Sequence, residues 1–218
     1  MSLIANIANR GKHLSTILDT KWIEIRTGKV DQKIQFCKWD QIGLVTDNKD
    51  ILGEKTLFID YPYLSEDVQV GQRIEIDSGA FHVRVISKKW NITMVEAEND
   101  ALIWSNRHVN LPGVKLRLPS LTEKDKTDLL FAIEAGMDFI AASFVRNRQN
   151  VVDIREFLDQ NSGENIKICS KIENQEAIEN LDEIILISDG VMVARGDLGI
   201  EVPMISLPMY QRRIVKSC

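Results

Sequence analysis

Apolar and polar positions change rhythm twice along the chain. Residues 14–21 form a short apolar run that ends in polar residues, and they predict a short buried strand. From about Gly28 to Gly113 the period is two, in short runs: Lys33-Ile34-Gln35-Phe36, Arg73-Ile74-Glu75-Ile76, Phe81-His82-Val83-Arg84-Val85 and Thr93-Met94-Val95-Glu96-Ala97. Such alternation marks half-buried strands. Asp77-Ser78-Gly79, between two of these runs, is a hairpin turn signal. Closely spaced short strands predict a small barrel or sandwich. After Pro119 the rhythm becomes alternating helix and strand. Thr122, with Asp125 three residues on, starts a helix that runs to Ala135, where Gly136 stops it. A strand over 139–145, an amphipathic helix over 150–160 and a strand over 165–173 follow. Next come a helix from Gln175 to about Asp182, a strand over 191–195 and a helical tail from about Leu207. This βαβαβα order predicts a parallel sheet with right-handed crossovers.

Composition narrows the class further. The 218 residues suffice for one large domain or two smaller ones, and 44% apolar with 27% charged residues is ordinary for a globular protein. A net charge of -5 argues against nonspecific binding to nucleic acid or to anionic membranes. No apolar run reaches the roughly 20 residues that span a bilayer. The N-terminus lacks the basic and apolar regions of a signal peptide. Cys37, Cys169 and Cys218 are odd in number and far apart, so reduced thiols and a cytoplasmic setting are expected, without zinc spacing. Cys169, inside an apolar strand, reads as a core thiol. His13, His82 and His108 share no spacing and read as surface residues. Trp39, Trp90 and Trp104 read as packing or surface residues of the β-rich section, and Leu111-Pro112-Gly113 as a linker turn.

The chemistry concentrates at strand ends. In the strand over 165–173, Ile166, Ile168 and Ile172 share one face, while Cys169, Lys171 and Glu173 share the other. In a (β/α) barrel the isoleucine face packs on helices and the Lys/Glu face points to the C-terminal mouth. Val193, Arg195 and Asp197 alternate together in the next strand. A lysine and two carboxylates from neighbouring strands can hold a magnesium ion that bridges carboxylate and phosphate oxygens. Lys171 would then neutralise charge on a transferring phosphoryl group or an enolate. Gly196-Asp197-Leu198-Gly199 would let backbone N–H groups approach a substrate carboxylate. The same spacing also suits a plain Lys171–Glu173 ion pair with Asp197 as a helix N-cap, and spacing leaves both readings open. Residues 19–28, a third polar cluster, read by themselves as a solvated exit loop.

The chain resembles pyruvate kinase over nearly its whole length. The resemblance is carried by Leu18-Asp19-Thr20-Lys21 with Glu24-Ile25-Arg26-Thr27-Gly28, by Val109-Asn110-Leu111-Pro112-Gly113 and by Ala142-Ser143-Phe144-Val145-Arg146. Its strongest parts are Ser170 to Glu176 and Asp189 to Pro203. It implies an α/β fold, a partial TIM (β/α) barrel with an inserted small all-β barrel domain. The expected parts are a barrel segment at 1–27 with the third barrel strand, a β-domain lid at 28–115, and a barrel segment at 116–218 with the fourth to sixth strands. The implied reaction is phosphoryl transfer from phosphoenolpyruvate to ADP, giving pyruvate and ATP in glycolysis. Lys171 would be the catalytic cation, and Glu173 and Asp197 the ligands of Mg2+ or Mn2+. The backbone of Ala194, Gly196 and Asp197 would hold the substrate, and Asp19 and Thr20 would supply part of a potassium (K+) site. Arg26 would meet nucleotide phosphates. Arg107 aligns with a lysine that contacts nucleotide on lid closure, keeping its charge but not its geometry.

The resemblance also implies a cytoplasmic homo-oligomer with no nucleic-acid or membrane partner. The sequence departs from the family pattern at Trp22-Ile23 (Gly-Pro in the family), at His108 and Ala177 (each Gly) and at Ser78 (an acid). The family's first two barrel strands fall before Met1, and its last two strands and regulatory domain fall after Cys218. A truncated form, inactive alone, is therefore expected. One other reading is a non-catalytic, self-associating half-barrel module. Another is a metal-dependent 2-oxo-acid lyase, against which Arg26 and the inserted β-domain argue.

Overall fold

Buried apolar side chains gather in two separate clusters, and each forms around one of the two rhythms in the sequence. The computed structural model describes residues 14–21, 23–50, 53 and 55–218, so Trp22 and His13 lie outside the described residues. In chain order the strands are β1 (Ile17–Asp19), β2 (Ile34–Phe36), β3 (Gln41–Val45), β4 (Thr56–Phe58), β5 (Arg73–Ile76), β6 (Phe81–Lys89), β7 (Ile92–Ala97), β8 (Ala101–Ile103), β9 (Val109–Asn110), β10 (Phe139–Ala142), β11 (Lys167–Ile172) and β12 (Gly190–Val193). The α-helices are α1 (Leu64–Asp67), α2 (Glu123–Glu134), α3 (Arg148–Gln160), α4 (Gln175–Glu179), α5 (Leu181–Ile187), α6 (Arg195–Glu201) and α7 (Leu207–Ser217). Among the described residues no helix is long and apolar enough to cross a membrane.

Strands β1, β10, β11 and β12 form a parallel sheet in that order, with Leu18 opposite Ile140, Ile140 opposite Ile168 and Ile172 opposite Val193. This is the order expected for consecutive strands of a (β/α) barrel. Helices α2 to α7 cover one face with Leu129, Ile154, Leu158, Ile184 and Ile214, all fully buried. The β-rich section holds a six-stranded sheet, β4-β3-β7-β6-β5-β9, and a two-stranded sheet, β2-β8. Every pairing there is antiparallel except β3 with β4. Phe36 stacks on Phe81 in its core, with ring centroids 5.5 Å apart. The predicted hairpin turn takes three successive positive φ angles, 56° at Asp77, 54° at Ser78 and 81° at Gly79. Asp and Gly are residue types that enter this region at low cost.

Several expectations need correction. Most of the run at 14–21 is not buried: among the described residues its strand, β1, pairs only with β10, and Ile17 is 49% exposed. Strand β3 escaped the alternation test because Ile42, Gly43, Leu44 and Val45 are all buried, which erases a period of two. The strand expected over 139–145 stops at Ala142, and Phe144 follows at φ 49°. The helix expected from Gln175 is two helices, α4 and α5, that meet at Asn180. The strand expected to reach Arg195 stops at Val193, and Arg195 opens α6.

The start of α2 is a full capping box. The Asp125 N–H donates to Thr122 Oγ1 at 3.0 Å, and the Thr122 N–H donates to Asp125 Oδ2 at 2.9 Å. Thr122→Ala should lower stability by about 1 kcal/mol, read as a lower urea midpoint with unchanged slope. An unshifted midpoint would show that the box is dispensable.

Candidate active site

The parallel register sets the C-terminal ends of four strands side by side, and each end delivers one polar group. Asp19 ends β1, Ser143 follows β10, Lys171 lies near the end of β11, and Asp197 sits in α6 just after β12. Strand alternation turns Ile168 and Ile172 into the helix-covered core and leaves Lys171 on the opposite face. The Lys171 ammonium lies 3.1 Å from Asp19 Oδ1, 2.9 Å from Ser143 Oγ and 3.0 Å from Glu173 Oε1. Ser143 Oγ is fixed by donating to the Thr20 carbonyl at 2.6 Å.

Glu173 has no exposed side-chain surface. Its Oε2 accepts the Phe144 N–H, which the positive φ of Phe144 presents. Its Oε1 pairs with Lys171 Nζ at 3.0 Å. Burial pushes the Glu173 carboxyl up. The Phe144 N–H and Lys171 oppose this, and Asp197 adds to it. Burial pulls the Lys171 ammonium down, but Glu173 and Asp19 outweigh it, so its pKa is raised and it stays charged at neutral pH. These residues, with Thr20, Lys21, Glu24, Phe144 and Asp197, line an open cleft of about 310 Å³.

The structure thus brings together Lys171, Glu173, Asp197, Asp19 and Thr20. Asp197 is not an N-cap: Ala194 caps α6 without a side-chain hydrogen bond, and Asp197 stands three residues on, in the first turn. The first turn of a helix leaves its N–H groups without intrahelical acceptors. A Cβ added at Gly196 would meet no atom within 4 Å, so space lies open there. Arg26 and Arg107 do not join the cluster. Arg26 holds Glu24, which does line the cleft, and donates to the Asn106 carbonyl at 2.9 Å. Arg107 lies 3.4 Å from Asp77 and stacks 4.5 Å from the Trp104 ring centroid.

Sequence reasoning gave no role to Ser143, Phe144 or Glu24. The first two lay in a segment read as plain strand, and only the turn after Ala142 aims them at Glu173 and Lys171. Two histidines also differ from the expected surface role. His82 is paired with Glu75. His108 is half-buried, edge-on to Phe144, and burial lowers its pKa against the pull of Glu24. Cys169 is only half-buried, not a core thiol, because its side of β11 faces away from the helices. Burial still pushes that thiol up, with Lys171 opposing. Cys37, Cys169 and Cys218 are free thiols, and Trp39 and Trp90 lie on the surface.

A second and more apolar cavity lies under the 109–118 segment, lined in part by Asn110, Leu116, Phe144, Arg146, Asn174 and Glu201. It shares Glu24 and Phe144 with the cleft but contains neither Lys171 nor Asp197, so the charged chemistry belongs to the cleft.

The donor set can be weighed against a metal. Among the described residues no group of three or more His, Cys, Asp or Glu side chains converges closely enough to cage an ion. The pair Glu173 and Asp197, which line the same cleft, suits magnesium, which binds few protein carboxylates and keeps oxygens of water or substrate. The Asp19 and Thr20 side chains are already engaged by Lys171, Ser143 and Ala141 and do not by themselves form a cation site.

Residues 2–218 match the family model described as "Pyruvate kinase, barrel domain". The pyruvate kinase of Clostridium acetobutylicum is 41% identical over 213 residues, covering 97% of this chain and 45% of that protein. Those of Geobacillus stearothermophilus and Lactobacillus delbrueckii subsp. bulgaricus are 41% and 40% identical, covering 99% and 100% of this chain and 38% of each relative. The chain therefore spans less than half the length of these curated relatives. With a family match over nearly every residue, and a parallel sheet in the strand order of a barrel segment, this chain belongs to the pyruvate kinase family.

Proposed function

We propose that this chain supplies one wall of an active site that moves the phosphoryl group of phosphoenolpyruvate to ADP, giving pyruvate and ATP. The observation that carries this reading is the Lys171 ammonium, held at the sheet's C-terminal edge between the buried Glu173 carboxylate and Asp19. Lys171 offsets the negative charge of the transferring phosphoryl group. As the phosphorus–oxygen bond breaks toward ADP, the same ammonium stabilises the enolate oxygen left behind. A proton taken from solvent water by the enolate carbon then completes pyruvate. Ser143 and Asp19 hold Lys171 in place through this change. Glu173 and Asp197 would hold Mg2+ or Mn2+, which when bound screens the phosphate oxygens. The free N–H groups at Gly196 and Asp197 would receive the substrate carboxylate over the open space at Gly196.

The β-rich section, 28–115, acts as the lid, and Arg26 and Arg107 meet nucleotide phosphates by exchanging Glu24 and Asp77 for them. A potassium role for Asp19 and Thr20 rests on the family alone, as do the glycolytic role and cytoplasmic setting. A homo-oligomer is supported by exposed Met204, Ile205 and Met209, apolar surface that a second copy would cover.

Manganese binding, followed by electron paramagnetic resonance, tests the site. Glu173→Gln should weaken Mn2+ affinity by about tenfold or more, and equal affinities would sink the assignment. Pyruvate release by this chain alone, in a lactate-dehydrogenase-coupled assay, should be negligible. Enzyme-like rates would show that these residues need no further wall.

A further inference from the structure

Strand β9 of the β-rich section is tied to the helix that carries Asp197. Asn110, the last residue of β9, donates from Nδ2 to Glu201 Oε1 at 2.8 Å, and Glu201 is the last residue of α6. Asn110 is 4% exposed, and its Oδ1 has no partner among the described residues. Its strand pairs with β5, Glu75 opposite Asn110 and Ile76 opposite Val109. The turn that follows β5 reaches the same helix: a Cβ on Gly79 would stand 3.7 Å from Ile200 Cγ2. Just past Asn110 the chain turns, with the Val114 N–H on the Leu111 carbonyl at 3.0 Å and Gly113 at φ 74°. One end of α6 therefore touches the β-rich section at β9 and at its hairpin tip. The other end holds Asp197, one helical turn from Glu201.

We propose that Asn110 and Glu201 form a latch through which the placement of the β-rich section sets the placement of Asp197, which makes Glu201 a positioning residue. The proposal rests on the reading of Asp197 given above. A seven-residue helix moves as a rigid body, so a shift at Glu201 carries to Asp197 about 6 Å away along the axis. The chemistry of the pair is directional. The amide gives one donor to the carboxylate and leaves one acceptor unfilled. Asn110→Asp replaces that donor with a second carboxylate and pushes the two elements apart. Adding Glu201→Gln reverses the roles, since the new amide donates to the new carboxylate, and the latch re-forms.

The test measures amide hydrogen exchange over α6 and residues 77–80, and Mn2+ affinity, on the whole chain at about pH 9, because burial raises Glu201 to about 7 and a second carboxylate beside it raises it further. Asn110→Asp should speed exchange in both segments and weaken Mn2+ binding by about tenfold, the weak end of a like-charge contact. The Asn110→Asp/Glu201→Gln pair should return both readings to within about twofold of the unaltered chain. A purely steric role for these side chains predicts no such rescue. The latch is overturned if Asn110→Asp leaves exchange unchanged, or if the double variant is no better than the single. The positioning role is overturned if exchange responds while Mn2+ affinity does not. If no form binds Mn2+, the unaltered chain included, the metal reading fails, and the exchange rescue decides the latch by itself.

Discussion

Replacing Lys171 with methionine is expected to cost the fold about 3 kcal/mol near pH 8. Methionine nearly conserves volume, so the loss is electrostatic. The Lys171 side chain is 13% exposed and that of Glu173 is 0% exposed, so the pair is a buried one, broken on one side only. Glu173 would keep the Phe144 N–H but lose its cation, with Asp197 still nearby. Asp19, with its side chain 63% exposed, can turn to water, which holds the cost at the lower end of the range for a broken buried pair.

The pH dependence distinguishes this cause from poor packing. The Glu173 carboxyl is already raised by burial, and loss of Lys171 raises it further. A raised carboxyl contributes stability that is full below its unfolded value and lost as pH rises through its folded value. The variant should therefore approach the unaltered chain in acid and fall behind it in alkali. Urea unfolding at both ends of the range would read this, and a constant gap between the two chains would count against it.

Glu201→Gln is expected to act in the opposite direction and to stabilise the chain above neutrality. Burial pushes the Glu201 carboxyl from its ordinary 4.5 up to about 7. The Asn110 hydrogen bond opposes this, and the charges of Glu75 and Asp197 add to it. Between those values the folded chain holds a proton that the unfolded chain has released. Stability from this group is thus full below 4.5, declines toward about 7 and is flat beyond. Each pH unit across that span is worth about 1.4 kcal/mol, so the total is at most about 3–4 kcal/mol. Glutamine keeps the acceptor for Asn110 and carries no charge, so the variant should lose this slope and exceed the unaltered chain by about 2 kcal/mol in mild alkali. Glu173 contributes a slope of the same sign in both chains, so the difference between them isolates Glu201. Parallel stability–pH curves would overturn the prediction.

Much of this architecture is legible locally. The capping box at Thr122, the turn at Asp77-Ser78-Gly79 and the isoleucine face of β11 each depend on residues within a few positions of one another, and all three stand where the pattern put them. Lys171 was legible for the same reason, since alternation along β11 turns it away from the helix-covered core, whereas Glu173 lies just past the end of that strand. Local pattern was weaker where a strand is buried on both faces, as in β3, and where a helix takes over from a strand, as at Arg195.

By itself, then, the sequence determined the two rhythms, the family and the polar side chains that gather at strand ends, because periodicity and motif spacing are short-range properties. Only the tertiary structure decided which of those side chains meet. Asp19 reaches Lys171 across 152 positions, and Ser143 bonds the Thr20 carbonyl across 123, through a parallel register that no local pattern encodes. It also decided that Glu173 is wholly buried and that Glu201 faces Asn110. Burial and charge are properties of the assembled neighbourhood, and they set what these carboxylates can do.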